Sequence, residues 1–260
     1  VSVDPAGVRT AIVTGASSGI GAATALELGR LGWRVALGAR RGDRLEAVAE
    51  RVRAGGGEAL AHRLDVALPD SVEEFHTAVE AALGPVDVLI NNAGMSILNR
   101  LAESRVEDLQ RELAVNLLGP MLMCRRALPS MLERRSGDLV FISSENAERP
   151  RPYQPAYTAA KAGLEALAGV LEMELEGSGV RASVVRVGPT GSEFGAGFEP
   201  AKIRETLEAW KYWGVQRHLH WMPAASVARA VVQVVTTPLD EAHLKLVQVM
   251  PGGRKRESAS

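Results

Sequence analysis

The chain has 260 residues, 46% of them hydrophobic, enough for one large α/β domain with a substantial core. Lys plus Arg is 30 and Asp plus Glu is 31, so the net charge of −1 supplies no general field for a nucleic-acid partner. The one cysteine, Cys124, excludes an intrachain disulfide, and no apolar run approaches the ~20 residues of a membrane span.

Residues 1–7 lack periodicity and read as a flexible lead-in without the layout of a signal peptide. A cytoplasmic location is expected. Ala11 to Thr14 is a short buried strand, followed by the glycine-rich turn Gly15-Ala16-Ser17-Ser18-Gly19-Ile20-Gly21 and a helix from Ala22 to Leu31. A second strand spans Trp33 to Ala39. Asp43 is placed to cap the helix from Arg44 to Ala54. Glu58 to Leu64 is the third strand, Pro69 opens a helix ending at Gly84, and Val86 to Ile90 is the fourth strand. A long helical region runs from about Arg105 to Arg134, with a tight turn or kink expected at Gly119-Pro120. Cys124 lies in its apolar run Met121-Leu122-Met123-Cys124 and reads as a small buried hydrophobe. Asp138 to Ile142 is the fifth strand.

A loop with three prolines leads into a helix carrying Tyr157 and Lys161 that stops near Glu176. Val180 to Val187 is the sixth strand. Six of the eleven aromatics then fall between Gly188 and Trp221, around a helix from Glu199 to Trp213. A helix from Pro223 to Val235, a last strand from Leu244 to Val249 and a polar tail from Gly253 complete the chain. Strands alternate with crossovers long enough to be right-handed, and the strands are apolar nearly throughout. The expected fold is a doubly wound, mostly parallel seven-stranded sheet with helices on both faces, a single Rossmann-type domain over residues 8–252.

Three stretches carry chemistry. The glycine turn, with Gly15, Ser17, Ser18, Gly19, Ile20 and Gly21, lies between strand and helix, where an open α/β sheet binds a pyrophosphate. The end of the second strand reads Ala39-Arg40-Arg41. An acid there would bind the ribose hydroxyls of NAD; Arg40 and Arg41 instead suit the 2′-phosphate of NADP(H). Tyr157 and Lys161 are four residues apart, on one face of a helix. A fixed positive charge favours phenolate, so the pair is a means of making a proton donor usable near neutral pH, with a nearby serine to hold a carbonyl oxygen.

The glycine turn, Asp65-Val66, Asn91-Asn92-Ala93-Gly94, Asn116, Ser144, Tyr157 and Lys161 together resemble the short-chain dehydrogenase/reductase family, in order and spacing, over about residues 9–250. The resemblance implies that Ser144 polarises the substrate carbonyl and that Tyr157 is the general acid in reduction and base in oxidation. Lys161 would lower the Tyr157 pKa and bind the nicotinamide ribose, and Asn116 would order a relay water. It implies that Asp65 and Val66 contact the adenine and that Asn92, Ala93 and Gly94 line the cofactor cleft. Tyr-x-x-x-Lys spacing looks like carbonyl–alcohol chemistry. After the sixth strand the family's Pro-Gly is replaced by Gly188-Pro189-Thr190. Pro189 and Thr190 are expected to border the nicotinamide, and either Thr190 or Ser192 can supply the hydroxyl.

Residues of about 190–222 stand where the family builds its substrate lid. With Met95, Gln154, Phe194 and Trp213 they suggest a roomy, apolar pocket. His218 and His220 read as local structure, and no metal site is expected. The helices of 105–134 and 156–176 resemble those that pair subunits, so a homotetramer or homodimer is expected. The reading is an NADP(H)-dependent oxidoreductase interconverting a ketone and a secondary alcohol. The alternatives are a non-catalytic dinucleotide-binding sensor or scaffold, and an NAD-dependent alcohol dehydrogenase of the same family.

Overall fold

The computed structural model describes residues 8–215 and 220–252. The lead-in of 1–7, the tail of 253–260 and His218 lie outside the described residues. In chain order the elements are β1 (Thr10–Thr14), α1 (Gly19–Arg30), β2 (Arg34–Ala39), α2 (Gly42–Ala54), β3 (Glu58–Arg63), α3 (Pro69–Leu83), β4 (Val88–Asn91), α4 (Val106–Leu113), α5 (Gly119–Arg134), β5 (Gly137–Ser144), α6 (Pro155–Glu174), β6 (Val180–Val187), β7 (Thr190–Gly191), α7 (Pro200–Tyr212), β8 (Met222–Pro223), α8 (Ala224–Thr236) and β9 (Leu246–Val249).

Seven strands form one parallel sheet in the order β3-β2-β1-β4-β5-β6-β9. Successive residues of a strand face opposite sides, and in β1, β2, β4, β5 and β6 both sides are buried, while the edge strands β3 and β9 are partly exposed. In β5, Val140 and Ile142 join the core beneath α1, α2 and α8, while Leu139 and Phe141 join the core beneath α3, α5 and α6. The chain moves outward from β1 to β3, then returns to the other side of β1 as β4. That reversal opens a crevice beyond the carboxyl ends of β1 and β4, the place where doubly wound sheets bind ligands. The short pair β7–β8 forms a separate parallel ladder at the same end, joining the start and finish of the segment that contains α7.

Two local expectations change. Asp43 does not cap α2. The helix begins two residues earlier, Arg41 stands at the N-cap, and Asp43 lies in the first turn, where its charge complements the helix dipole. The long helix is not turned at Gly119-Pro120. Instead α4 passes into a π-helical turn over Ala114–Leu118, and α5 continues from Gly119. The Gly119 N–H bonds the Ala114 carbonyl, an i→i−5 link, and Pro120 has no N–H to continue the α pattern. The widened turn carries Asn116.

His76 on α3 is fully buried, and neither ring nitrogen has a hydrogen-bond partner. Burial, reinforced by Arg126, pushes its pKa down to about 4. The unfolded chain takes up this proton near the ordinary value of ~6.5 and the folded chain does not. Stability therefore falls as pH drops from about 6.5 towards 4, by roughly 2–3 kcal/mol for this one group. The expected result for His76→Leu is a higher urea midpoint at neutral pH and a flatter loss of stability over that acid range. An unchanged slope would show that His76 does not set it.

Candidate active site

The glycine turn starts from constraints of space. Gly15 and Gly19 adopt φ of +67° and +55°, in the left-handed region. A Cβ on Gly15 would lie 2.9 Å from Ala93 Cα, and one on Gly21 would lie 2.5 Å from the Gly15 carbonyl oxygen. Side chains here would fill the hollow that the backbone encloses. Ser18 is the extended N-cap of α1 and makes no side-chain cap bond, and the first turn of the helix carries no acid. The N-terminus of α1 thus offers free N–H groups and a positive dipole end to an anion.

Thr14 ties the turn to β4. Its hydroxyl accepts the N–H groups of Asn92 and Ala93 at 3.0 Å each. The Asn92 side chain donates back to the Thr14 carbonyl at 2.8 Å, so it braces the two strand ends while its neighbours line the crevice. Ala93 and Gly94 both line the cleft. Asp65 and Val66 form the wall after β3. The Asp65 carboxylate accepts the Ala67 N–H at 3.1 Å, and Val66 is buried against Gly119, where a Cβ would come within 2.9 Å.

Arg40 and Arg41 both border the crevice beyond β2. Arg41 is the one built into it: its Nη2 donates to Ser17 Oγ at 3.0 Å and to Ser18 Oγ at 2.8 Å. Its Nη1 pairs with Glu193 at 2.8 Å, and Glu193 also pairs with Arg44. Arg40 is exposed. Arg44 and Glu193 were not singled out from the sequence.

β5 delivers Ser144, and α6 delivers Tyr157 and Lys161. Pro155 at the first position of α6 suits a helix start, and the alanine-rich first turns hold both side chains inward. Tyr157 and Lys161 are buried, with Lys161 Nζ 5.8 Å from the Tyr157 ring centroid. Lys161 donates to the Ile142 carbonyl at 2.7 Å. Burial pushes its pKa down to about 8. The Tyr157 phenol is pushed up to about 12, chiefly by burial, although hydrogen bonding with Ser144 and the charge of Arg151 pull it down. Loss of solvent outweighs the neighbouring charges at this phenol. The phenol is therefore held as an acid at neutral pH.

Asn116 is fully buried beneath this group rather than on the cleft wall. Its amide accepts the Met95 N–H at 3.1 Å and donates to the carbonyls of Met95 and Glu112 at 2.8 Å each. A Cβ on Gly94 would lie 3.0 Å from Asn116 Oδ1 and 3.8 Å from Lys161 Nζ, so all three converge.

Gln154 lines the cleft, but both ends of its amide are engaged. Nε2 donates to Ser96 Oγ at 3.0 Å, and Oε1 accepts from Asn146 Nδ2 at 2.9 Å. The Asn146 backbone N–H in turn reaches Ser144 Oγ at 3.2 Å. Glu112 closes the other end of this chain of polar groups, accepting the Ile97 N–H at 3.0 Å; burial pushes its carboxyl up to about 7. Glu112 and Asn146 had no motif to announce them.

Pro189, Thr190, Met95 and Phe194 complete a cleft of about 980 Å³. Thr190 turns its hydroxyl back to the Gly188 carbonyl at 2.9 Å. Phe194 leans on the Tyr157 ring at 5.5 Å. Trp213 does not belong to the cleft: it is 68% exposed at the end of α7, packed edge-on against Tyr212. One helical turn earlier, Trp210 takes that place, donating to the Pro152 carbonyl at 2.8 Å with the Arg151 guanidinium 4.6 Å from its ring. Among the described residues, no helix is long and apolar enough to cross a membrane.

Residues 9–202 match the family described as short chain dehydrogenase. A short chain dehydrogenase of Pseudocercospora fijiensis is 41% identical over 191 residues, 72% of this chain; the match spans 62% of that relative, less than two thirds of its length. An alcohol dehydrogenase from the archaeon Thermococcus sibiricus, solved with 5-hydroxy-NADP, superposes with a TM-score of 0.81 at 30% identity, covering 96% of this chain and 99% of that one. A metagenomic short-chain oxidoreductase solved with NADP gives 0.77 at 33% identity, covering 94% and 97%. Fold, ordered motifs and these likenesses agree: the chain belongs to the short chain dehydrogenase family of oxidoreductases.

Proposed function

We propose that the protein is an NADP(H)-dependent oxidoreductase that interconverts a ketone and a secondary alcohol, with Tyr157 as the general acid and base. The observation that carries this reading is the convergence of Ser144, Tyr157 and Lys161 on the crevice that the glycine turn and Arg41 also border. The glycine hollow and the α1 N-terminus fit a pyrophosphate, and the Arg41, Ser17 and Ser18 donors fit a 2′-phosphate beside Arg40. Asp65 and Val66 would hold the adenine. Asn92, Ala93 and Gly94 would flank the ring end, with Pro189 and Thr190 on its far side.

When bound, the reduced nicotinamide supplies the hydride. Tyr157 gives its proton to the carbonyl oxygen as negative charge develops there, and Ser144 holds that oxygen in line. Lys161, still largely protonated at neutral pH, binds the ribose and feeds the phenol through a water ordered near Asn116. Oxidation runs the same proton in reverse. Phe194, Trp210 and Trp221 give the substrate side of the cleft an aromatic lining, which favours apolar substrates. The segment of about 190–222 would act as the lid over them. Exposed Leu118 and Met121 on the α5 side and Val170 and Met173 on α6 offer apolar faces for a homodimer or homotetramer.

Following NADPH absorbance against a panel of apolar ketones tests the activity. Consumption with at least one ketone is expected; tight NADPH binding without turnover of any would favour a non-catalytic sensor. Cofactor choice has its own test. Arg41→Ala is expected to weaken NADPH binding by about tenfold or more, the scale of a lost charge-assisted contact, and to change NADH binding little. Equal weakening of both would sink the assignment of Arg41 to a 2′-phosphate.

A further inference from the structure

Three consecutive residues after β7 touch three different parts of the cleft. Ser192 lies against the glycine turn, its Cβ 2.9 Å from where a Cβ on Gly19 would stand. Glu193 accepts from Arg41 Nη1 at 2.8 Å and from Arg44 Nη1 at 2.7 Å. Phe194 leans on Tyr157, ring centroids 5.5 Å apart, and its N–H is held by Ser192 Oγ at 3.2 Å. The strap Ser192-Glu193-Phe194 therefore joins the phosphate-binding end of the cleft to the catalytic phenol.

The middle contact has an unusual donor set. Two guanidiniums hold one carboxylate at the end of β2, and Arg41 is itself anchored there by donating to the hydroxyl oxygens of Ser17 and Ser18. A carboxylate brings two oxygens and a single charge. A phosphate monoester brings three acceptor oxygens and nearly two charges, so it competes well for the same guanidiniums. We propose that Glu193 is a specificity-determining residue: its carboxylate occupies the Arg41–Arg44 pair in place of a nucleotide 2′-phosphate, which releases it and so frees Phe194 from Tyr157. The proposal rests on the reading that this cleft binds a nicotinamide dinucleotide.

The consequence is a cofactor-dependent strap. A nucleotide with a 2′-phosphate must displace Glu193 before it gains both arginines, and the displacement is transmitted one residue along the chain to the ring on Tyr157. A nucleotide without that phosphate leaves the pairing in place. Glu193 thus lowers the affinity for the phosphorylated cofactor while linking its arrival to access at the phenol. Because Glu193 is about half exposed and outside the core, its replacement leaves the fold intact.

The test compares the intact protein with Glu193→Gln, which keeps the shape and removes the charge. Dissociation constants for NADPH, NADH, 2′-AMP and 5′-AMP are measured by calorimetry. The variant is expected to bind NADPH and 2′-AMP about threefold to tenfold more tightly, the range that removing an exposed competing ion pair allows, with NADH and 5′-AMP unchanged within about twofold. Hydrogen exchange reads the strap: 2′-AMP should speed exchange at the Phe194 amide of the parent protein, and the variant should exchange fast without it. An unaltered ratio of NADPH to NADH affinity in Glu193→Gln, or an unresponsive Phe194 amide, would overturn the proposal. A parent protein that prefers NADH would sink the cofactor assignment alone, since the ratio would still shift in the variant.

Discussion

Tyr157→Phe is expected to lower kcat for ketone reduction by about 10²–10⁴-fold, the range for losing a positioned general acid, while NADPH binding stays intact. The phenyl ring keeps the packing against Phe194 and removes only the hydroxyl, so the loss belongs to the proton. The pH profile of the parent enzyme follows from the same site. The phenol, at about 12, stays protonated well above neutral pH, so reduction keeps its acid. Of the pair, Lys161, at about 8, titrates before the phenol as pH rises. The kcat/KM for reduction should be level through neutral pH and fall above about 8, as the ammonium that supports the phenol loses its charge. Steady-state kinetics across pH check both statements. A Tyr157→Phe enzyme with near-normal turnover would remove Tyr157 from the chemistry.

The sheet was readable because its inner parallel strands are buried on both faces and so stand out as apolar runs between glycine-marked turns. The helix carrying Tyr157 and Lys161 was readable because the two residues are spaced by one helical turn from a proline start. What escaped the sequence depends on directions that spacing does not encode. Arg40 and Arg41 are equivalent as letters, but a turn sends one side chain back over Ser17 and Ser18 and leaves the other in solvent. Trp210 and Trp213 lie three residues apart on α7 and its end, and only the pairing of Trp210 with Pro152 and Arg151 decides which faces the cleft.

Other gaps have a different origin. Glu112 reads as one more charge on an amphipathic helix; it becomes a site residue only because the loop after β4 folds over it and donates the Ile97 N–H. The π turn at Ala114–Leu118 arises from backbone hydrogen bonding, and Gly119-Pro120 marked the disturbance without showing its form. Glu193 and Arg44 are 149 residues apart in sequence, a distance that no local pattern spans. The burial of the phenol has a related origin. Sequence places Lys161 beside Tyr157, but the degree of burial that overrides a neighbouring charge is a property of the packed site.

Lys161→Met is expected to abolish most activity and to stabilise the fold. The parent lysine is 4% exposed, and burial brings its pKa from 10.5 down to about 8. Folding therefore disfavours its charged form. Below about pH 8 both folded and unfolded chains hold the proton and the whole penalty applies. Between about 8 and 10.5 the unfolded chain still binds the proton and the folded chain has released it, so stability rises with pH. At neutral pH the penalty is of the order of 3 kcal/mol. The hydrogen bond to the Ile142 carbonyl offsets about 1 kcal/mol of any gain when it is lost. A methionine fills similar space without a charge, so a net gain of roughly 1–3 kcal/mol is expected at pH 7. Urea unfolding at pH 7 and pH 10 measures it: the advantage of the variant should be large at the first and shrink at the second. Turnover should meanwhile fall at least about a hundredfold, because the phenol loses the cation that supports its proton transfer. A variant that is both less stable and inactive at pH 7 would mean that Lys161 holds the fold together. The opposite pair of changes would identify a group kept buried and charged at the expense of stability because the chemistry requires it.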